Sequence, residues 1–254
     1  MKNYNSKFKN TFFLNFAFLI FIFEFFIHTP IATPFNIPEK FEYDLTWKGI
    51  RAGTASLEII NDGNKIRIVS TARSAKWISV FYTVDDRVES TLIKNESSFI
   101  GQPLNYRLKI REGRHRRDKE VIFKQDIGKA TYIDYLTNEK QEFDIPFFIF
   151  DPVSSFYYLR TLQLEVGKPV YMTIFDSKKV WNVEIKVLKK ERLELPTGVF
   201  DTILVKPIMK SEGIFHRKGD ILIWLTDDKR RIPVRMKTKI VVGSVVATLV
   251  GGDY

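Results

Sequence analysis

Two pairs of adjacent carboxylates are the residues of this sequence best suited to acid–base or metal chemistry. They are Asp85 with Asp86 and Asp227 with Asp228. Carboxylates that converge can hold a metal ion or act as general acid and general base. Neighbouring residues on a strand point to opposite faces, so each pair converges only where a loop folds it together. We therefore expect turn residues, with Arg231 balancing the charge of the second pair.

Nucleophilic catalysis and cofactor binding leave no signature in the sequence. His28, His115 and His216 are the only histidines, and the absence of cysteine excludes thiol nucleophiles, disulfides and thiolate metal sites. There is no Gly-x-Ser-x-Gly elbow, no His-Glu-x-x-His motif and no phosphate-binding glycine loop. We expect no cofactor and favour a non-enzymatic role, while an enzyme that uses carboxylates stays open.

Basic side chains form the most repetitive chemical pattern. They recur at every second position in two stretches that alternate like strands, so each set shares one face. If the two faces adjoin, they form an anion-binding patch for lipid headgroups or a membrane surface, and a solvated outer face is the alternative. The candidate patch residues are Arg107, Lys109, Arg111, Arg235, Lys237 and Lys239.

Aromatic residues, with 22 Phe and 10 Tyr, form a second pattern. They cluster just before and within a short segment with helical spacing. Core packing explains them most simply, but the segment 150–162 could also be a lid over an apolar cavity that suits a lipid or acyl chain. The candidate lid or pocket residues are Phe150, Phe156, Tyr157 and Tyr158.

The elements that must position these residues are mainly strands. Apolar and polar residues alternate along most of the chain, with predicted turns at Gly53 and at Asn61–Asn64. The predicted strands cover 41–47, 55–59, 66–70, 79–93, 104–110, 119–125, 129–136, 170–175, 183–187, 199–209 and three further strands within 220–249.

A single helix interrupts this pattern. Asp151 is suited to an N-cap, Pro152 to the first helical position, and apolar residues follow at helical spacing. About a dozen strands in one chain cannot stay flat. The sequence therefore predicts a mainly β fold, with a single curved antiparallel sheet forming a closed or half-open barrel and one short helix.

The N-terminus differs from the rest. Three lysines precede an apolar run from Phe12 to Ile27, which is the pattern of a secretory signal, and an uncleaved anchor is the alternative. We predict a signal peptide or N-terminal anchor over 1–32, a linker over 33–38 and a β-barrel-like domain over 39–254. The net charge of +10 favours anionic partners, and export to the periplasm or cell envelope would exclude nucleic acid.

Several segments together resemble one bacterial family. The C-terminal stretch resembles the signature of domain of unknown function 3108, and Phe41–Gly53, Asp151–Arg160 and Leu195–Thr202 are similar to its other landmarks. The resemblance implies an exported, mostly β envelope protein with no assigned activity. The signature residues are Trp224, Asp227, Asp228, Arg231, Pro233 and Gly243.

These observations lead to one functional expectation and two alternatives. We expect an exported envelope protein that binds or transports an apolar or amphiphilic molecule, with a lipid or an anionic membrane surface as partner. One alternative is an envelope hydrolase or glycan-active enzyme with two facing carboxylates. The other is a scaffold that pairs with a protein through an exposed sheet edge.

Overall fold

One antiparallel sheet of fourteen strands makes up most of the computed structural model, which describes residues 36–95, 98–176, 178–209, 221–240 and 242–254. The predicted segment 1–32 lies outside the described residues. The strands are β1 (Glu39–Trp47), β2 (Ile50–Asp62), β3 (Lys65–Ser74), β4 (Asp85–Asn95), β5 (Ser98–Glu112), β6 (His115–Lys124), β7 (Lys129–Asp134), β8 (Glu139–Asp144), β9 (Val170–Asp176), β10 (Lys179–Leu195), β11 (Gly198–Met209), β12 (Ile221–Thr226), β13 (Pro233–Lys239) and β14 (Ser244–Asp253).

Among the described residues, two α-helices, not one, accompany the sheet, together with a 3-10 turn at Gln125–Ile127. The predicted helix is confirmed as α2 (Pro152–Thr161), and a further helix, α1 (Lys76–Ser79), precedes β4. The predicted strand 79–93 was wrong in its first part, because residues 79–83 are not paired in the sheet, which the chain rejoins at the bridge between Val84 and Glu112. In the described part of the chain, no helix is long and apolar enough to cross a membrane.

The strand order explains how the sheet is built. Strands β1 to β8 are each hydrogen-bonded to the next, and so are β9 to β14. The two halves are joined where β1 pairs with β14, as in the pair Tyr43 and Leu249. The outer strands β8 and β9 do not pair with each other within the described residues. The sheet is therefore barrel-like but open. We call the boundary between its two edge strands, β8 and β9, where the described residues form no backbone ladder, the seam.

Alternation along the strands creates the core. Glu39, Phe41 and Tyr43 occupy alternate positions of β1 and are all buried. The buried apolar residues separate into three clusters. The first lies around β1 to β3, β14 and α2, the second around β9 to β12, and the third around β5 to β8 with Phe175 of β9.

Gly53 lies inside a strand and not in the predicted turn. The β1–β2 turn is at Lys48 and Gly49, where φ is 50° and 80°, and Gly53 pairs with Leu45 on one side and Ser74 on the other. A β-carbon at Gly53 would collide with the backbone carbonyl of Arg73. The glycine therefore permits close approach of two strands, which in sequence looks the same as a turn signal.

Replacing this glycine should weaken the fold. We expect Gly53→Ala to lower the free energy of unfolding by about 1–3 kcal/mol, because the backbone of β3 must shift to admit the new methyl group. Gly251→Ala in β14 is the matched control, since no atom lies within 4 Å of its β-carbon position. Urea unfolding of both variants measures the difference, and equal stability would contradict this account of Gly53.

Candidate functional site

Helix α2 is fixed at its first turn by a buried carboxylate. Asp151 Oδ1 accepts hydrogen bonds from the backbone N–H groups of Val153 and Ser154, both at 2.9 Å. Its Oδ2 accepts from Ser90 Oγ of β4 at 2.6 Å and from Ser154 Oγ at 2.7 Å. Burial raises the pKa of Asp151, although these hydrogen bonds act to lower it. The capping residue predicted from sequence therefore also ties the helix to the sheet.

A buried ion pair fixes the other end of α2. Arg160 Nη1 and Nη2 donate to the two carboxylate oxygens of Glu39 at 2.6 and 3.0 Å. The two side chains are 0% and 1% exposed. Arg160 also donates from Nε and Nη2 to the carbonyls of Arg231 and Arg230, both at 3.0 Å. One guanidinium thus joins α2, β1 and the β12–β13 turn.

Sequence reasoning missed this pair because its partners are 121 positions apart. Two local features of the sequence indicate that Glu39 and Arg160 face the interior. Glu39 shares its strand parity with Phe41 and Tyr43, and Arg160 lies three positions after Tyr157 on the helix. A charged residue on an apolar face indicates a buried partner.

The β12–β13 turn contains the carboxylate pair Asp227 and Asp228. Asp228 Oδ1 accepts from Thr226 Oγ1 at 2.7 Å and from the N–H groups of Arg230 and Arg231 at 3.0 Å. Burial acts to raise the pKa of Asp227, but hydrogen bonds and charge from Lys190 and Arg231 lower it overall. The expected turn interactions are present, so the two carboxylates are occupied in holding the turn.

The remaining signature residues also make structural contacts. Pro233 is buried and its carbonyl accepts from Tyr43 Oη at 2.9 Å. Trp224 donates from Nε1 to Glu191 at 2.7 Å. Gly243 adopts φ of 85° in the β13–β14 turn. The expectation of a turn was wrong for Asp85 and Asp86, because both lie in β4, where Asp85 is paired with Arg73 and Asp86 Oδ1 accepts from the N–H of Arg111 at 3.0 Å. No cluster of three His, Cys, Asp or Glu side chains able to hold a metal occurs among the described residues.

The candidate lid residues are part of the packed interior. Phe150 and Tyr157 are buried, with Tyr157 fully so. Phe150 stacks on Tyr158 at a centroid distance of 4.5 Å, and Phe148 packs edge-on against both. Phe156 is half-buried. The structure thus packs these aromatics around the start of α2, where Phe150 also bonds to β9, while opening of this segment as a lid stays a prediction.

Side chains close the seam in place of a hydrogen-bond ladder. Phe175 of β9 packs against Phe143 of β8 and Phe123 of β6, at centroid distances of 5.5 and 6.2 Å. Lys178, which follows β9, forms an ion pair of 2.6 Å with Glu139 at the start of β8. Within the described residues, the backbone of β9 bonds on this side only to Phe150: Phe150 N donates to Thr173 O and Phe175 N donates to Phe150 O.

The two basic rows are not brought together. Arg107, Lys109 and Arg111 lie on β5, and the other row lies on β13, with β4, β3, β2, β1 and β14 between them in the sheet. Arg107 is paired with Asp118 and stacks on Tyr135 at 4.4 Å. The rows therefore do not form the single patch of the sequence hypothesis, because the hairpins carrying them are far apart in strand order. Anion binding by Arg235, Lys237 and Lys239 on their own stays a prediction.

Comparison with known proteins assigns the chain to a protein family. The sequence profile of a protein family of unknown function, DUF3108, matches residues 42–250. The chain belongs to the DUF3108 family. The match spans β1 to β14, and no curated protein matches the chain.

Solved structures extend the comparison to the fold of this DUF3108 protein. A beta-barrel-like protein of domain of unknown function DUF1849 from Brucella abortus aligns with a TM-score of 0.54 at 14% identity, covering 85% of this chain and 97% of the other. A candidate lipoprotein from Parabacteroides distasonis aligns with a TM-score of 0.34 at 11% identity, covering 87% and 99%. A candidate exported protein with a YmcC-like fold from Bacteroides fragilis gives 0.34 and 11%, covering 88% and 99%. The first alignment shows a shared fold.

Breaking the buried ion pair should be far more costly than breaking an exposed one. We expect Glu39→Ala to lower the free energy of unfolding by about 3–5 kcal/mol, because the Arg160 charge stays buried without its carboxylate. The control is Glu165→Ala, since the Glu165–Lys168 pair is solvent-exposed and should contribute at most about 1 kcal/mol. Chemical denaturation measures both, and similar losses would contradict the stated role of Glu39.

The buried Asp151 should make stability depend on pH. Its pKa in the folded state lies above the ordinary value of 3.8, so between these two values the folded state binds the proton more tightly than the unfolded state. The contribution of Asp151 to the free energy of unfolding therefore falls as pH rises through this window and then levels off. Asp151→Asn should lack this slope in denaturation curves taken across the window, and parallel curves would contradict the assignment.

Proposed function

We propose that this DUF3108 protein is a non-enzymatic protein of the cell envelope that binds an apolar or amphiphilic molecule through the seam. The observation that carries the proposal is the closure of an otherwise hydrogen-bonded sheet by aromatic packing and one ion pair. The envelope location is supported by the signal-like composition of residues 1–32 and by the resemblance drawn from the signature residues.

The seam is the least costly place for the sheet to open. Parting any two paired strands breaks a ladder of backbone hydrogen bonds, and each group left without a partner in the interior is costly. Parting β8 from β9 breaks no strand ladder within the described residues; it separates Phe175 from Phe143 and Phe123, and Lys178 from Glu139. An apolar ligand can replace the aromatic contacts with contacts of its own, so opening here is compensated by binding.

The chemistry of the seam fits an amphiphile. Its interior side belongs to the third core cluster, which includes Ile145, Phe123 and Tyr132. Lys178 stands at its margin, 4.9 Å from the centroid of the Tyr132 ring and paired with Glu139. An acyl or other apolar chain would occupy the aromatic part, and a negatively charged headgroup would compete with Glu139 for Lys178. The seam therefore has an aromatic part that can contact the apolar chain of an amphiphile and a lysine that can pair with its charged headgroup.

A reversible cross-link across the seam tests the proposal. The double variant Glu139→Cys/Lys178→Cys is joined with a short bifunctional maleimide that carries a cleavable spacer, and binding of the apolar fluorophore N-phenylnaphthylamine is titrated before joining, after joining and after cleavage. We expect binding to be lost on joining and restored on cleavage, because the seam can no longer part. The chain has no native cysteine, so the linkage is specific.

The matched control is Glu165→Cys/Lys168→Cys. These residues form an ion pair of 2.5 Å within one loop, so their cross-link does not span the seam. Probe binding should be unchanged in this variant. A protein that binds no probe in any state, or that binds equally well with the seam locked, would refute the proposal. Native mass spectrometry of the protein released from envelopes by mild extraction then identifies the bound molecule.

A further inference from the structure

The segment between β3 and β4 presents large apolar side chains to solvent. Phe81 is 87% exposed and Val80 is 76% exposed, and Trp77 and Tyr82 are also exposed. Helix α1, which begins this segment, has no buried residue. These side chains give up the burial that normally stabilises them by about 1.5–3 kcal/mol each. Such a surface is suited to a partner that covers it.

The exposed side chains stand on a well-formed support. Ala75 N donates to Ala52 O at 2.7 Å, and Gly113 N donates to Thr83 O at 2.8 Å, which ties both ends of the segment to neighbouring hairpins. Inside the segment, Tyr82 N donates to Ile78 O at 2.8 Å. The hydrogen bonds hold the backbone in place, so the outward direction of Val80 and Phe81 is a property of the fold.

Neighbouring turns extend this apolar surface. Ile50 in the β1–β2 region and Val242 in the β13–β14 turn are both more than half exposed, at 59% and 52%. The turns are joined by Trp47 Nε1 donating to Val242 O at 2.8 Å and by Trp77 Nε1 donating to Arg51 O at 3.1 Å. We call the combined surface the apolar rim; it consists of Ile50, Trp77, Val80, Phe81, Tyr82 and Val242.

Cations surround the apolar rim. Lys48, Lys76, Arg114 and Lys239 are exposed at the same end of the sheet, and none of them forms an ion pair with a carboxylate within the part of the chain that the structure describes. The carboxylates of Asp44 and Asp85, by contrast, are paired with Arg51 and Arg73. The surface therefore has an apolar centre, a positive margin and little free negative charge.

The apolar centre and positive margin of the rim favour an anionic bilayer over a second copy of the chain as partner. A second copy of the chain would bring its own cations against Lys76 and Arg114, and like charges at an interface repel. An anionic bilayer can bury exposed apolar side chains at the boundary between headgroups and acyl chains, while its phosphates attract the surrounding lysines and arginines. The chemistry of the rim thus matches a lipid surface.

We propose that the apolar rim docks the protein onto an anionic bilayer, with Val80 and Phe81 inserted below the headgroups and the surrounding cations against the phosphates. The inference is independent of the seam and of any ligand bound there. It also places the membrane contact on turns at one end of the sheet, so that of the two basic rows only Lys239, at the end of β13, takes part.

Because the chain lacks cysteine, a single reporter can locate the contact. Val80→Cys is labelled with the environment-sensitive fluorophore NBD in the full-length chain, and Val199→Cys, also more than half exposed at 51%, is the matched control at the far end of the sheet. Vesicles of phosphatidylcholine, with or without phosphatidylglycerol, are added. We expect a blue shift and quenching by bromolipids at position 80 in the anionic vesicles, and an unchanged signal at position 199.

Side-chain changes test the two components separately. Phe81→Asp should abolish the shift of the reporter at position 80, whereas Val199→Asp should leave it intact. Lys76→Gln and Arg114→Gln should each weaken binding to anionic vesicles about fivefold, the effect of about one interfacial charge. All four positions are exposed, and thermal unfolding of each variant verifies that the fold is kept.

The outcomes separate this inference from attachment by other parts of the chain. If the vesicle-bound protein leaves the reporter at position 80 in water, or if positions 80 and 199 respond alike, the docking surface is elsewhere and the inference is wrong. A response at position 80 that is the same with neutral and anionic vesicles would overturn the role assigned to the cations.

Discussion

The bidentate pair between Arg160 and Glu39 is the interaction on which the arrangement of the sheet depends. It joins the last turn of α2 to the first residue of β1, and the same guanidinium holds the carbonyls of the β12–β13 turn. Phe41 and Tyr157 flank its face at 5.1 Å. A charge in such a place is tolerated only when fully paired, so the three elements are held in one relative position.

Helix α2 is fixed at both ends, whereas the seam between β8 and β9 is held by fewer contacts. Asp151 and Arg160 anchor the helix to β4 and β1, two strands that each pair with a neighbour on both sides. The outer strands β8 and β9 meet through Phe143, Phe175 and one ion pair. The fold thus combines a helix fixed at both ends with a boundary that is held by side chains, an arrangement that suits the proposed binding role.

Much of the fold could be predicted from periodicity, and the failures have identifiable causes. The C-terminal strands were readable because Ile232, Val234 and Met236 alternate with cations. Strand β8 was missed because its sequence is mostly polar and it lies at an edge, where burial imposes no pattern. The apolar residues Val80 to Tyr82, at the start of the predicted strand 79–93, favoured a strand, since sequence cannot show that their side chains face water.

The candidate sites were less predictable than the fold, because they depend on which strands meet. Two similar basic rows looked like one patch, yet strand order separates them. The Glu39–Arg160 pair had local hints in strand parity and helix spacing but no hint of which residues pair. The seam has no local signature at all, since it is defined by two strands that do not bond.

The pairing of β1 with β14 has a consequence for the order of folding. Each half of the sheet consists of hairpins between consecutive strands and can assemble from contacts that are close in the chain. Their junction, by contrast, brings Tyr43 to Leu249, almost the full length of the polypeptide. That closure waits until β14 is available to pair, so the edge of β1 stays without its partner until late in folding. Charged residues at Lys40, Glu42 and Asp44 along that edge would discourage premature association during the delay.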